Sequence, residues 1–263
     1  MRKTRMAWPC LALILLASLH ANAEPEPEPE PRAKDLPADI EAKAAVDPAK
    51  LADNADLRFA DARNRLASST KMKKLGEALH NYAATKDSAF PTNVADKASK
   101  QLLSWRVRLL PYLGEKALYE KFKLDEPWDS KHNLALLEKM PKAFESARVT
   151  VGRKGYTVYQ VFDGPGALYK SGKPDYNIGN LPDGTSSTIF AVESSRAVPW
   201  TKPADMTYDK AKPIPDFGKA YGGKPLCVMC DGSARVIDLK KVSTATLRNA
   251  ICPEDGQELG KDW

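Results

Sequence analysis

Histidine is scarce in this chain, with three residues, and cysteine is nearly as scarce, with four. A closed zinc site takes about four Cys or His ligands gathered at short spacing. The cysteines beyond the N-terminus are Cys227, Cys230 and Cys252, and His80 and His132 stand far from them in sequence. No metal or cofactor site is therefore expected. Charge of one sign is also lacking. The net charge is +6, and the basic residues are spread rather than clustered, which argues against a nucleic-acid partner. No internal repeat is present, so a solenoid is not expected. The one apolar run of note, Leu11 to Leu19, is well short of the roughly 18–20 residues that a membrane-spanning helix needs.

That run has a different meaning. Arg2, Lys3 and Arg5 precede it and Ala21-Asn22-Ala23 follows it, the order of a secretory signal peptide with a small-x-small cleavage site. Residues 1–23 are read as that signal, with an uncleaved anchor as the plainer alternative. Cleavage after Ala23 removes three basic residues and no acid, halving the net charge. It leaves no stable membrane span and sends the chain to the periplasm, the cell surface or the medium. Cys10 lies in front of the apolar run, where lipoprotein processing does not act.

Residues 24–32 read EPEPEPEPR. Proline at alternate positions excludes helix and favours an extended spacer. The Ala-, Lys- and Asp-rich stretch to residue 56, broken by Pro37 and Pro48, is read as a tether with a short helix after Pro48. Residues 57–263 are read as one domain. A helix is expected from Leu57 to Lys86, with Leu66, Met72, Leu75, Leu79 and Tyr82 on or near one stripe and Gly76 weakening it. Further helical blocks are expected over residues 103–122, split by Pro111, over 130–139, and over 243–251. Strands are expected over 156–162, 187–193 and 225–239, punctuated by Asp163-Gly164, Asp183-Gly184 and Asp231-Gly232, the last as a hairpin turn. Helices first and strands later point to α+β with an antiparallel sheet.

Residues 226–233 read LCVMCDGS. A Cys-x-x-Cys pair suits a redox dithiol or half a metal site. On an extended strand, however, Cys227 and Cys230 stand about 10 Å apart and face opposite sides, too far for the roughly 7 Å that a disulfide allows. A reactive pair also normally opens a helix, whereas a turn and a strand follow this one. Packing of both thiols is the leading reading, with a disulfide from Cys252 to Cys227 or Cys230 as the alternative, since an exported chain permits one.

Ser68-x-x-Lys71 with the later Lys170-Ser171-Gly172 matches the short motifs of serine β-lactamases and penicillin-binding proteins. Ser68 lies inside a charged amphipathic stretch and no convincing Ser-x-Asn or Tyr-x-Asn stands between the two motifs. A serine hydrolase at Ser68 and Lys71 is thus the third function considered. His80 and His132 are read as ordinary polar contacts. The segment around Trp128, DEPWDSKHN, lacks the spacing of a calcium loop. Trp105, Trp128 and Trp200, near prolines, are expected to close loops onto a core. The stretch from Val198 to Gly223 is too long for a plain connection and too aromatic for disorder. It is read as a lid completing the core or as a recognition surface built from Trp200, Lys202 and Asp205.

Several segments together resemble a planctomycete-type family of unknown function with a prepilin-like start. They are KKLGEALHNYAATKDSAFPTN, SWRVRLLPYLGEKALYEKFKLDEPWDSKHN, YQVFDGPGALY, DGTSSTIFAVESSRAVPWTKPADMTYD and CVMCDGSARVI, in that order from about residue 60 to 252. The resemblance implies a type IV pilin-like or pseudopilin-like domain, one N-terminal helix and further short helices packed on an antiparallel sheet. An older name for that family implies solute binding, and no catalytic residues carry over. The chain departs from the family in two places. A signal peptide and Glu-Pro spacer replace the long apolar start, and Tyr221 stands where relatives carry a histidine nine residues before Asp-Gly. The expected function is an exported, non-enzymatic structural or interaction protein, partnered by an envelope protein or glycan. A solute- or glycan-binding module is the alternative.

Overall fold

The structure, a computed structural model, describes residues 32–51 and 54–263. The segment read as a signal peptide and the Glu-Pro run after it lie outside them. Helix α1 spans Ala55–Ala84, and the side chain of Asn54 caps it by accepting from the Leu57 amide at 3.1 Å. Its second half buries Met72, Leu75, Leu79 and Tyr82. Leu66 departs from the expected stripe and is 70% exposed. Six residues turn a helix by about 240° away from Met72, so Leu66 leaves the core face. Phe59, seven residues earlier and so on the same side as Leu66, is exposed too.

The five strands of the main sheet are β1 (Ile40–Glu41), β2 (Tyr156–Gln160), β3 (Ile189–Pro199), β4 (Leu226–Met229) and β5 (Ala234–Val236). All pairings are antiparallel. The long β3 is central. β2 runs along one side of it, and β4 and then β1 share the other, with Val192 opposite Cys227 and Ala197 opposite Ile40. β4 turns through Asp231-Gly232 into β5, as the Asp-Gly pair predicts. Within the stretch read as a tether, β1 is therefore part of the sheet, Lys43–Ala44 pairs with Val149–Thr150, and Ala42 is buried between them. A short 3-10 turn at Pro48–Lys50 follows Pro48, as expected.

The sheet is covered on both faces, and alternation along β4 sorts its side chains between them. Leu226, Val228 and Cys230 pack with Met72, Leu75 and Leu79 of α1. Cys227 and Met229 face the other way, against the closing helix α2 (Thr244–Ile251) through Leu247, Ala250 and Ile251. A bulge near Phe190 lets Phe190 and Ala191 share the α1 side while Ile189 and Val192 turn to the other. The helical blocks over 103–122 and 130–139 are broken into single turns rather than longer helices: Trp105–Arg108, Leu110–Leu113, Lys116–Tyr119, Lys131–Leu134 and Leu137–Lys139. Pro111 and the left-handed Gly114 supply two of the breaks. The result is an α+β domain with a long N-terminal helix on an antiparallel sheet.

Candidate functional site

A single acid interrupts the apolar start of β3. Glu193 is fully buried, and a lone carboxylate there would be costly without partners. Three groups meet it. Ser146 Oγ donates to Oε1 at 2.8 Å, Arg148 Nη1 donates to Oε2 at 2.9 Å, and the Leu226 amide donates to Oε2 at 3.0 Å. The network runs on through Ser68, whose Oγ lies 3.3 Å from Ser146 Oγ and accepts from the Ala147 amide at 2.9 Å. Burial raises the Glu193 pKa against the pull of Arg148. Tyr159 and Tyr221 flank the group, and their phenols are pushed up by burial.

A second buried pair joins Arg106, on the short helix after Ser104, to Asp205 in the long loop, at 2.6 Å. Arg106 also donates through Nε and Nη2 to the Tyr159 carbonyl and through Nη1 to Ser104 Oγ. Asp205 further accepts from the Trp105 indole and the Val161 amide. Desolvation outweighs the Arg106 charge and lifts the Asp205 carboxyl to about 6. The pair ties three separate segments together.

These contacts settle where the proposed recognition residues sit. Trp200 is fully buried, stacked near Phe144 and edge-on to Phe122, with its indole N–H donated to the Leu137 carbonyl at 2.8 Å. Asp205 is internal. Lys202 reaches solvent in part, with Nζ 5.3 Å from the centre of the Trp128 ring, whereas Asp205 does so only through its backbone. The structure thus brings Trp200 and Asp205 into the core and presents neither side chain at a surface. The loop is pinned at Met206–Thr207 by a short parallel pairing with Phe162–Asp163.

Cys227, Cys230 and Cys252 are free thiols. The first two lie on opposite faces of β4, as strand geometry predicts, and Cys252 caps the end of α2. Burial pushes Cys227 up to about 12 and Cys230 higher than usual as well, which leaves both without thiolate at neutral pH. Ser68 is buried and its oxygen accepts from the backbone. Lys71 has its pKa lowered by desolvation, but no hydrogen bond links it to Ser68 among the described residues. Lys170 ion-pairs with Asp175 and Glu254. His80 Nε2 is buried beside Gly232 and unpartnered among the described residues, and His132 Nε2 meets the Lys121 carbonyl at 2.7 Å. Among the described residues, no group of three or more His, Cys, Asp or Glu is placed to hold a metal ion, and no helix is long and apolar enough to cross a membrane.

Two clefts open near the Glu193 network. One, of about 600 Å³, is lined by Ser146, Glu138, Glu145, Arg153, Lys154 and Tyr156, so acids and bases both border it. The other, of about 210 Å³, is lined by Arg148, Tyr221, Lys224, Arg65 and Asp61. Sequence reasoning missed both. The lone Glu193 directly after Phe190-Ala191-Val192 was a usable signal of a carboxylate that needs buried partners.

Helix, sheet and buried polar ties define an α+β domain of the helix-on-sheet type. Residues 60–176 match the model of a family described as SBP_bac_10, Protein of unknown function (DUF1559). The matched part runs from α1 through β2 and ends before β3. No curated protein and no solved structure matches the chain.

Proposed function

We propose that the protein is an exported, non-enzymatic structural or interaction protein of the cell envelope, pseudopilin-like in its design. One observation carries this reading. The groups best suited to chemistry are engaged inside the fold: Glu193 with Arg148, Asp205 with Arg106, Ser68 with the backbone, and the thiols of Cys227 and Cys230 in two apolar layers. A catalytic acid, base or nucleophile must reach a substrate, and these do not. Export rests on the signal-like residues 1–23, with the Glu-Pro run following the expected cleavage site. An envelope protein or a glycan is the partner class.

Binding of a small solute or glycan is the second reading, favoured by the cleft of about 600 Å³, a volume within the range of ligand sites. Affinity capture from envelope fractions with the tagged protein, together with N-terminal sequencing, tests both. The expected results are a specific envelope protein or glycan and a mature start at Glu24. Retention of Met1 in a cytoplasmic pool would overturn the export reading. Turnover of a substrate that is lost on mutating a described acid or serine would overturn the non-enzymatic one.

A further inference from the structure

Arg148 uses only one corner of its guanidinium. Nη1 donates to Glu193 at 2.9 Å and to the Lys224 carbonyl at 2.8 Å. Nε is buried, and neither it nor Nη2 forms a hydrogen bond with a described residue. The side chain is only 5% exposed, and its central carbon lies 4.9 Å from the centre of the Tyr221 ring. Buried donors without acceptors are uncommon in folded proteins and call for a cause. Nε and Nη2 form the side edge of the guanidinium, the fork that can donate two parallel hydrogen bonds to one carboxylate or phosphate.

That side chain lines the cleft of about 210 Å³, which is also bordered by Arg65 and Lys224. Each of these has a carboxylate neighbour, but at 3.9 Å for Arg65 with Asp61 and 3.5 Å for Lys224 with Asp238. Neither contact is a hydrogen bond, so the donors of Arg65 and Lys224 remain available. Asp61 borders the cleft as well and opposes an anion there. Pro48 and Leu51 supply an apolar wall.

We infer that this cleft binds a small molecule through an oxyanion group, a carboxylate or a phosphate, held by the guanidinium of Arg148 and flanked by Arg65 and Lys224. The site is separate from the wider cleft at Ser146 and does not rest on the envelope role proposed above. Its volume suits a ligand of a few heavy atoms beyond the anionic group.

Calorimetric titration of the purified protein with inorganic phosphate, and separately with acetate, at ionic strength held constant with chloride, tests the inference. Saturable binding of phosphate alone identifies a phosphate site, and binding of acetate identifies a carboxylate site; either supports the inference. Arg65→Ala and Lys224→Ala, both at partly exposed positions, should each weaken binding about tenfold, the effect of losing one charge-assisted hydrogen bond. Asp61→Asn should tighten it by removing a like charge. Arg148→Lys keeps the charge but loses the fork, and should weaken binding more than either alanine variant if its thermal midpoint shows that it folds. Absence of saturable binding by both anions overturns the inference. So do affinities that Arg65→Ala, Lys224→Ala and Asp61→Asn leave unchanged.

Discussion

Gly76 of α1 lies directly against Gly232 of the β4–β5 turn. A Cβ placed on Gly76 would stand 2.5 Å from the Gly232 carbonyl oxygen and 2.6 Å from its Cα. Gly232 itself has φ of 82°, a left-handed conformation that suits glycine. Helix and hairpin therefore approach backbone to backbone, with the His80 ring beside the contact.

Gly76→Ala is expected to destabilise the protein by about 2 kcal/mol or more, although alanine favours helix by about 1 kcal/mol over glycine. Denaturant titration measures it. A variant as stable as the parent would mean that the hairpin gives way without cost.

Trp200→Ala should remove about 3–5 kcal/mol of stability, because it empties a fully buried indole site and leaves the Leu137 carbonyl without its donor. Circular dichroism melts with near-ultraviolet detection report the loss. Unchanged stability would contradict the packing of Trp200 between Phe122 and Phe144.

Asp205 links stability to pH. Its folded carboxyl titrates at about 6 against an ordinary 3.8, so the folded state binds the proton more readily than the unfolded state. The contribution is favourable below about pH 4 and declines as pH rises to about 6. Glu193, also raised, acts in the same direction. Unfolding free energies from pH 4 to 7 should show this decline, and Asp205→Asn should flatten it. A slope identical in parent and variant would exclude Asp205 as its source.

Thiol labelling should separate the three cysteines. Cys252, half-buried, is expected to react with an alkylating reagent in the folded protein, and Cys227 and Cys230 only after denaturation. Peptide mapping assigns the sites. A disulfide between Cys252 and either strand cysteine, found in the purified protein, would overturn the arrangement of free thiols.

Local pattern carried much of the fold. The spacing of Met72, Leu75, Leu79 and Tyr82 marked the helix face, and Asp231-Gly232 closed the hairpin. Strand alternation placed Cys227 and Cys230 on opposite faces before any packing was known. The same reasoning failed for Leu66, where a spacing of six passed for a helical stripe, and for residues 40–44. Two short strands in a polar, Ala-rich segment leave no periodic trace, because their order comes from the open edges they join.

The candidate clefts were not legible at all. Sequence by itself determined the long helix, the main-sheet strands from Tyr156 onward, the α+β class, the Asp231-Gly232 turn and the sidedness of the strand cysteines, since each depends on backbone preferences and periodicities within a few residues. Tertiary structure alone decided that Arg106 meets Asp205 at a separation of 99 residues and that Arg148 meets Glu193 at 45. It also decided that Trp200 faces inward and that Nε of Arg148 is buried without an acceptor among the described residues. Burial turns an ordinary acid or base into one that needs a particular partner, and which partner arrives depends on how distant segments close around it.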